Sequence, residues 1–313
     1  MTEQARIAVL MDPIESINPK KDSTFALLLA AQALKLSPYY IFPRSLCYRQ
    51  GFVEAKAAPI ELRDNTDQWY HLEVAREVDL ATFDQVLIRY EPPFDQNYLY
   101  VTQLLQLVEQ QGVSVVNSPQ GLQMINEKLG ILHFPDYCTP TLVSSDNESL
   151  QQFVGKHEQV IVKPLDGMGG QGIFYLHSDL PNQQATLEML TQNFTKPIMA
   201  QRYIPSIRNG DKRLFIFHGD VFPYALIRLP KKGETRANMA LGGQVNYAKL
   251  SDYELNMAQT IADYLTPLGL NLVGLDVIGD CLTEINVTCP TGMRELTQLT
   301  GIDVAQDYFK RAY

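Results

Sequence analysis

The segment VIVKPLDGMGGQGIFYL, residues 160–176, runs from an apolar stretch ending at Lys163 through Gly167-Met168-Gly169-Gly170-Gln171-Gly172 into a second apolar stretch. Glycines let backbone N–H groups approach phosphate oxygens, and a lysine on the adjoining strand can neutralise phosphate charge. No Gly-Lys-Ser/Thr follows and the exit is a strand, so this is not a Walker loop. Taken alone, the segment suits a glycine-rich hairpin with a solvated lysine equally well.

A second constellation lies in VGLDVIGDCLTEINVTCPTGMRE, residues 273–295, where Asp276, Glu284 and Asn286 fall on two arms of a predicted hairpin. Oxygen ligands are what magnesium prefers, and that ion usually bridges protein carboxylates to phosphates. A two-residue turn at Gly279-Asp280 would pair Asp276 with Thr283 and send Glu284 to the opposite face. A three-residue loop, Gly279-Asp280-Cys281, sets Asp276 directly across from Glu284, with Asn286 on the same face two residues on. This odd register is the expectation. The competing view, acids on the solvated side of a strand, leaves Asn286 without a purpose.

A third set is cationic: Arg213 after Asp211-Lys212, Arg228 at a strand end, and Arg236 with Asn238 in a glycine-bearing stretch. The guanidinium fork suits phosphate and carboxylate. Singly, such arginines are ordinary surface residues. A glycine loop, an oxygen-ligand hairpin and several arginines together are the parts a phosphoryl-transfer site requires.

Positioning these groups takes a particular order of elements. An apolar strand at Arg6–Met11, a helix over 23–35, a strand Gln85–Arg89, a helix over 98–110 and a strand over 113–117 predict an open, mostly parallel, helix-covered sheet in residues 1–122. A helix over 124–134, strands at 160–163 and 173–176 and the glycine loop between them predict a small antiparallel α+β lobe, 123–200. Residues 201–313 carry strands over 213–217 and 222–228, a loop over 229–245 long enough to be a mobile lid, a helix over 253–268 and the acidic hairpin. The fold class expected is thus mixed, α/β followed by α+β.

Composition narrows the function classes. A net charge of -9 argues against nucleic acid and anionic membrane as partners. No apolar run approaches the roughly 18 residues of a membrane span, so a cytoplasmic address is expected. The four cysteines show no CxxC spacing, which suggests neither zinc nor a disulfide framework. Neither glycine cluster opens a helix within a βαβ unit, which disfavours a nicotinamide enzyme.

Lys128, Lys163 with its glycine loop, MAQRYIP at 199–205, Asp211-Lys212-Arg213 and the Asp276, Glu284, Asn286 hairpin together resemble the ATP-grasp fold. More narrowly, MDPIESINPKKDSTFALLL, RYEPPFD, NEKL, KPLDGMGG, GDKRLF, GETRAN and LTEINVTCPTGMRE resemble the prokaryotic glutathione synthetases across nearly the whole chain. The resemblance implies a three-lobed ligase that joins glycine to γ-glutamylcysteine, with ATP converted to ADP and phosphate through an acyl phosphate. It further implies ATP phosphate contacts from Lys128, Lys163 and the backbone of Gly167, Met168, Gly169 and Gly170, with Gln201 and Ile204 bordering adenine and Asp211 the ribose. Asp276, Glu284 and Asn286 would hold magnesium, or manganese in its place. Arg213, Arg228, Arg236 and Asn238 would support the transferring phosphoryl group. Asp12, Lys21, Ser23, Arg89 and Arg294 would meet the dipeptide, although the run Lys20-Lys21-Asp22-Ser23 equally suits a solvated loop with a helix N-cap. The family is commonly a homo-oligomer, a dimer or tetramer. Two places depart from its pattern: Gln244 follows the lid's Gly-Gly pair where a basic residue is common, and Tyr90-Glu91 replaces a basic-acidic pair. Within the superfamily, a D-alanine-D-alanine ligase or glutamate-adding enzyme shares the nucleotide residues, and a catalytically silent ATP-binding regulator is the reading from another class.

Overall fold

The computed structural model describes residues 4–312 except 66, 180 and 231–243. Three sheets organise them.

In the first, Arg6–Met11, Ser37–Ile41, Gln85–Arg89 and Ser114–Val116 run parallel, as the strand and helix alternation predicts. The expectation of a mostly parallel sheet is only half right. Phe52–Leu62 adds antiparallel to Ser37–Ile41, and Cys47–Arg49, Tyr70–Leu72 and Arg76–Asp79 add antiparallel to it in turn. Residues 42–79 hold no helix long enough for a crossover, so these strands return by turns, and turns make antiparallel neighbours. The helix Ser23–Ala33 is capped by Asp22, whose side chain accepts from Phe25 N, so the Lys20–Ser23 run does carry a helix N-cap.

The predicted helix over 124–134 is instead a short helix, Pro119–Met124, and a 3₁₀ turn, Leu129–His133. Asn126 makes the break: its Oδ1 accepts from the backbone N–H groups of Lys128 and Leu129, competing with a continuous helix.

The second sheet is antiparallel throughout, in the order Phe174–His177, Gln159–Pro164, Ile198–Arg202, Thr141–Ser144. Alternation decides its faces. Val160, Val162, Ile198 and Ala200 pack with Leu150, Val154 and Leu187 of the covering helices. Ile161, Lys163 and Gln201 fall on the other face and line a cavity.

The third sheet runs Gln244–Lys249, Tyr224–Leu229, Asp211–Phe217, Leu272–Ile278, Cys281–Asn286, all antiparallel. Its last hairpin sets Asp276 opposite Glu284, as expected, but by another route. Ile278 pairs with Cys281, so the turn is the two-residue Gly279-Asp280, and the register then shifts between Asp276 and Val277. Thr283 is the extra residue of that bulge, and a bulge moves every later side chain by one position. The helices Met293–Thr300 and Val304–Ala312 return to the first sheet's side, where Met293, Leu296, Tyr308 and Phe309 share a core with Phe25 and Leu28. Asn117 fastens the first sheet to the third: its Nδ2 donates to the carbonyls of Leu272 and Val287, and its Oδ1 accepts from Asn271 N and Leu272 N. All four amide valences of a buried side chain are thereby met across the lobe boundary.

Candidate active site

A cavity of about 1850 Å³ opens between the three sheets. Its wall includes Asp12, Lys21 and Arg89 from the first sheet and Lys163, Met168, Gly169, Gly170, Gln201 and Ile204 from the second sheet and the connection that follows it. From the third come Asp211, Arg213, Arg228, Asp276, Glu284 and Asn286.

The acidic hairpin is ringed by cations. Arg213 grips Asp276 bidentately, Nε to Oδ1 at 2.5 Å and Nη2 to Oδ2 at 3.1 Å. Arg228 grips Asp211 in the same way, at 2.6 and 2.8 Å, and its Nη2 also lies 3.0 Å from Asp276 Oδ1. Burial alone would raise the Asp276 carboxyl, but the two guanidiniums outweigh it and hold it well below the usual carboxylate range. Lys128 Nζ donates to Glu284 Oε1 at 3.0 Å and to the carbonyl of Gly167. Lys163 Nζ donates to the carbonyl of Thr283 at 2.9 Å. Burial pushes the Lys163 ammonium down to about 8, with Glu284 drawing it back up and Lys128 pressing it lower.

The oxygen set suits a hard divalent cation. Asp276 accepts three arginine N–H groups and has about four lone-pair sites, which leaves one direction open. Glu284 keeps a second oxygen, and Asn286 lies opposite Gly274 on the same strand pair. Among the described residues no three His, Cys, Asp or Glu groups gather to hold a metal. One or two carboxylates with waters and phosphates are magnesium's usual shell, so the residues fit such an ion shared with a nucleotide.

The glycine loop is built for close approach. Gly169 and Gly170 have φ of 61° and 77°, left-handed values that L side chains resist. A Cβ on Gly167 would lie 2.8 Å from Pro164 Cγ. Gly167 itself lies behind the wall, where Lys128 holds its carbonyl.

Two residues expected at the dipeptide lie off the cavity wall. Ser23 is fully buried off the cavity wall, and its Oγ accepts from Gly292 N at 3.0 Å and Met293 N at 3.1 Å, at the start of the helix Met293–Thr300. Arg294 is off the wall too; its Nη2 donates to Asp64 Oδ1 at 2.7 Å and its guanidinium stacks over Phe25. Arg89 does line the cavity. It is 2% exposed on the wall, with Nε donating to Thr24 Oγ1, Nη2 to Pro290 O, and Nη1 without a partner. Arg236, Asn238 and the rest of residues 231–243 of the expected lid lie outside the described residues, while its two ends, Leu229 and Gln244-Val245, belong to paired strands.

Sequence reasoning missed Thr24, Glu127, Thr288 and Glu295, all on the wall. All four stand inside motifs that carry the family resemblance: Thr24 in MDPIESINPKKDSTFALLL, Glu127 in NEKL, and Thr288 and Glu295 in LTEINVTCPTGMRE. Cys289 also faces the cavity, but burial pushes its thiol up to about 12, so it is no nucleophile at neutral pH.

The model of the prokaryotic glutathione synthetase N-terminal domain matches residues 5–123, and that of the family's ATP-grasp domain matches residues 127–301. The chain belongs to the prokaryotic glutathione synthetase family. Among the relatives of this glutathione synthetase family member, the glutathione synthetase of Nitrosomonas europaea is 44% identical over 303 residues, covering 96% of this chain and 95% of the relative. Those of Bordetella parapertussis and Pseudomonas aeruginosa are 46% and 43% identical over 305 and 293 residues, covering 96% and 94% of this chain and 96% and 92% of theirs. In fold it is similar to D-cycloserine synthetase, TM-score 0.67 at 13% identity, with 98% of each chain covered. It is similar also to the ATP-grasp ligase PsnB solved with a phosphomimetic minimal precursor, Mg and ADP, TM-score 0.61 at 16% identity, covering 99% of this chain and 97% of that one. The chain therefore has the ATP-grasp fold, and the cavity lies where its sheets meet.

Proposed function

We propose that the cavity is where this glutathione synthetase joins glycine to γ-glutamylcysteine at the expense of ATP. The relatives' shared activity over nearly the full chain supports that reaction, and their names disfavour the other ATP-grasp ligases. A carboxylate is a poor acyl donor until its oxygen becomes a good leaving group. The cysteinyl carboxylate takes the γ-phosphoryl group of ATP, ADP leaves, the glycine amine attacks the acyl carbon, and phosphate departs as the peptide bond forms.

Each wall then has work. Gly169 and Gly170 bring backbone close to the phosphates, with Lys163 neutralising charge beside them and Lys128 holding the loop from behind. Gln201 and Ile204 border the adenine, and Asp211 meets the ribose through whichever lone pairs Arg228 leaves. Asp276, Glu284 and Asn286 hold magnesium, which when bound draws electron density from the phosphates. Arg213 and Arg228 stabilise the charge that develops on the transferring group, aligned in advance by the carboxylates they grip. Arg236 and Asn238 complete that set. Arg89 offers its unmatched Nη1 to the dipeptide, with Asp12 and Lys21 on the same wall. Three lobes, 1–122, 123–200 and 201–313, supply these groups. Among the described residues no helix is long and apolar enough to cross a membrane, and a cytoplasmic reaction is the setting proposed.

The observation that carries this reading is the Asp276–Glu284 cross-strand pair on the cavity wall, with Arg213 and Arg228 beside Asp276 on that wall and Lys128 bound to Glu284 from behind it. The test is phosphate release from ATP and magnesium, with glycine and γ-glutamylcysteine supplied together and singly, beside Glu284→Ala. Release needing both acceptors and lost in the variant supports it. Release with a different carboxylate and amine, and none with this pair, overturns the substrate assignment.

A further inference from the structure

Glu127 grips the strand that presents Glu284 and Asn286. Its backbone carbonyl accepts from Ile285 N at 2.9 Å. Its Oε1 accepts from Val287 N at 2.9 Å, Thr288 N at 3.0 Å and Thr288 Oγ1 at 2.8 Å. Four donors within four consecutive residues thus converge on one amino acid more than 150 positions earlier in the chain. Residues 285 and 287 turn their N–H groups to Glu127, and the side chains of 284 and 286 alternate between them. The neighbours of Glu127 extend the grip: Asn126 Nδ2 donates to the carbonyl of Leu165, and Lys128 Nζ reaches Gly167 O and Glu284 Oε1. The three residues join the glycine loop to the acidic hairpin.

A bulge at Thr283 makes this grip necessary. Bulged strands twist and lose ladder bonds locally, so the hairpin's own pairing holds the segment beyond the bulge less firmly than a regular ladder would. Among the described residues the strand Cys281–Asn286 also stands at the edge of its sheet, without a partner strand on its outer side. Glu127 supplies acceptors on that open side.

We infer that Glu127 is a positioning residue: it acts through hydrogen bonds to residues 285–288 to hold Glu284 and Asn286 at the spacing a nucleotide-bound divalent cation requires. The inference rests on the metal role proposed above for those two residues. Outer groups that orient metal ligands typically contribute about 10–100-fold to metal affinity.

The measurement is calorimetric titration of ADP into the full chain, once with magnesium and once with EDTA, for wild type, Glu127→Ala, Glu127→Gln, Thr288→Val and Glu284→Ala. Glu127→Ala is expected to reduce the magnesium-dependent gain in ADP affinity by about tenfold, and to change metal-free affinity little. Glu127→Gln keeps an oxygen that accepts the same bonds and is expected to retain most of the gain. An unchanged gain in Glu127→Ala, beside a lost gain in Glu284→Ala, overturns this inference alone. An unchanged gain in Glu284→Ala overturns the metal reading beneath it. A loss in Glu127→Gln as large as in Glu127→Ala overturns the hydrogen-bond account, since charge would then be the operative property. Should Glu127→Ala fail to fold, Thr288→Val removes one donor of the set; it is expected to lose part of the gain, and full retention overturns the inference.

Discussion

Lys163 donates to the carbonyl of Thr283, the residue that the hairpin bulge adds, at 2.9 Å. The contact joins the face of the second sheet to the edge of the third, across the cavity where the phosphates are proposed to lie. A regular two-residue hairpin would present Glu284 to the opposite face and offer no extra carbonyl at this point.

Lys163 is expected to give the enzyme a signature above neutral pH. Its ammonium is held near 8 in the folded chain, chiefly by burial, against 10.5 as the reference value. Between those values the unfolded chain keeps a proton that the folded chain has released, so folding stability from this group rises with pH across that window. Below 8 the desolvation penalty is fully present. Denaturant melts of wild type and Lys163→Met at several pH values check the sign: the variant should lack the rise. In steady-state assays the KM for ATP should climb as pH passes about 8, and Lys163→Arg should abolish that climb.

Asp276→Asn leaves the buried guanidiniums of Arg213 and Arg228 facing a neutral amide. Breaking a buried pair by removing one charge typically costs about 3–5 kcal/mol, so a marked fall in melting temperature is expected along with loss of ligation. The carboxyl is depressed in the folded state, so its stabilisation is complete above its unfolded pKa and disappears as pH falls below it. Thermal melts from neutral to acid pH should show wild type converging on the variant.

Two glycines separate loop geometry from general stability. Gly167→Ala places a Cβ 2.8 Å from Pro164 Cγ and 3.1 Å from Gln171 O, so the loop must shift and the KM for ATP should rise about tenfold, about 1.4 kcal/mol. Gly155→Ala, in the helix Asn147–His157 with nothing within 4 Å of the new Cβ, should instead stabilise the chain by about 0.5–1 kcal/mol. Kinetics and melting of the two variants check both.

Ser23→Ala and Arg89→Lys test the division between scaffold and dipeptide contact. Removing the Ser23 hydroxyl leaves Gly292 N and Met293 N unpaired in a buried place, a loss of about 1–3 kcal/mol with KM values unchanged. Arg89→Lys abolishes the planar fork and should raise the KM for γ-glutamylcysteine with little effect on that for ATP. A KM change for the dipeptide in Ser23→Ala would instead place that hydroxyl in substrate binding.

Much of the site was legible because its chemistry is carried by local strings. KPLDGMGG placed a lysine and flexible backbone together, and LTEINV placed an acid and an amide two residues apart, a spacing that shares a face in any strand. The alternation of apolar runs located Gln85–Arg89 and Leu272–Ile278 to the residue. Less visible were the antiparallel additions to the first sheet, since short strands between 42 and 79 give weak periodic signals. The break at Asn126 was also missed, because a side chain that caps its own following turn leaves the apolar pattern intact.

By itself the sequence determined which residue types the site contains, the mixed fold class and the family, because composition, spacing and motif order are local properties of the chain. Tertiary structure alone decided which neighbours those residues meet. Asp276 faces Glu284 through a bulge and not through a longer turn, because register depends on hydrogen bonds between strands. Ser23 came to accept from the first residue of a helix 270 positions on, and Glu127 came to hold the strand of Glu284, because burial pairs polar groups with whatever donor or acceptor the packed sheets and helices bring within reach.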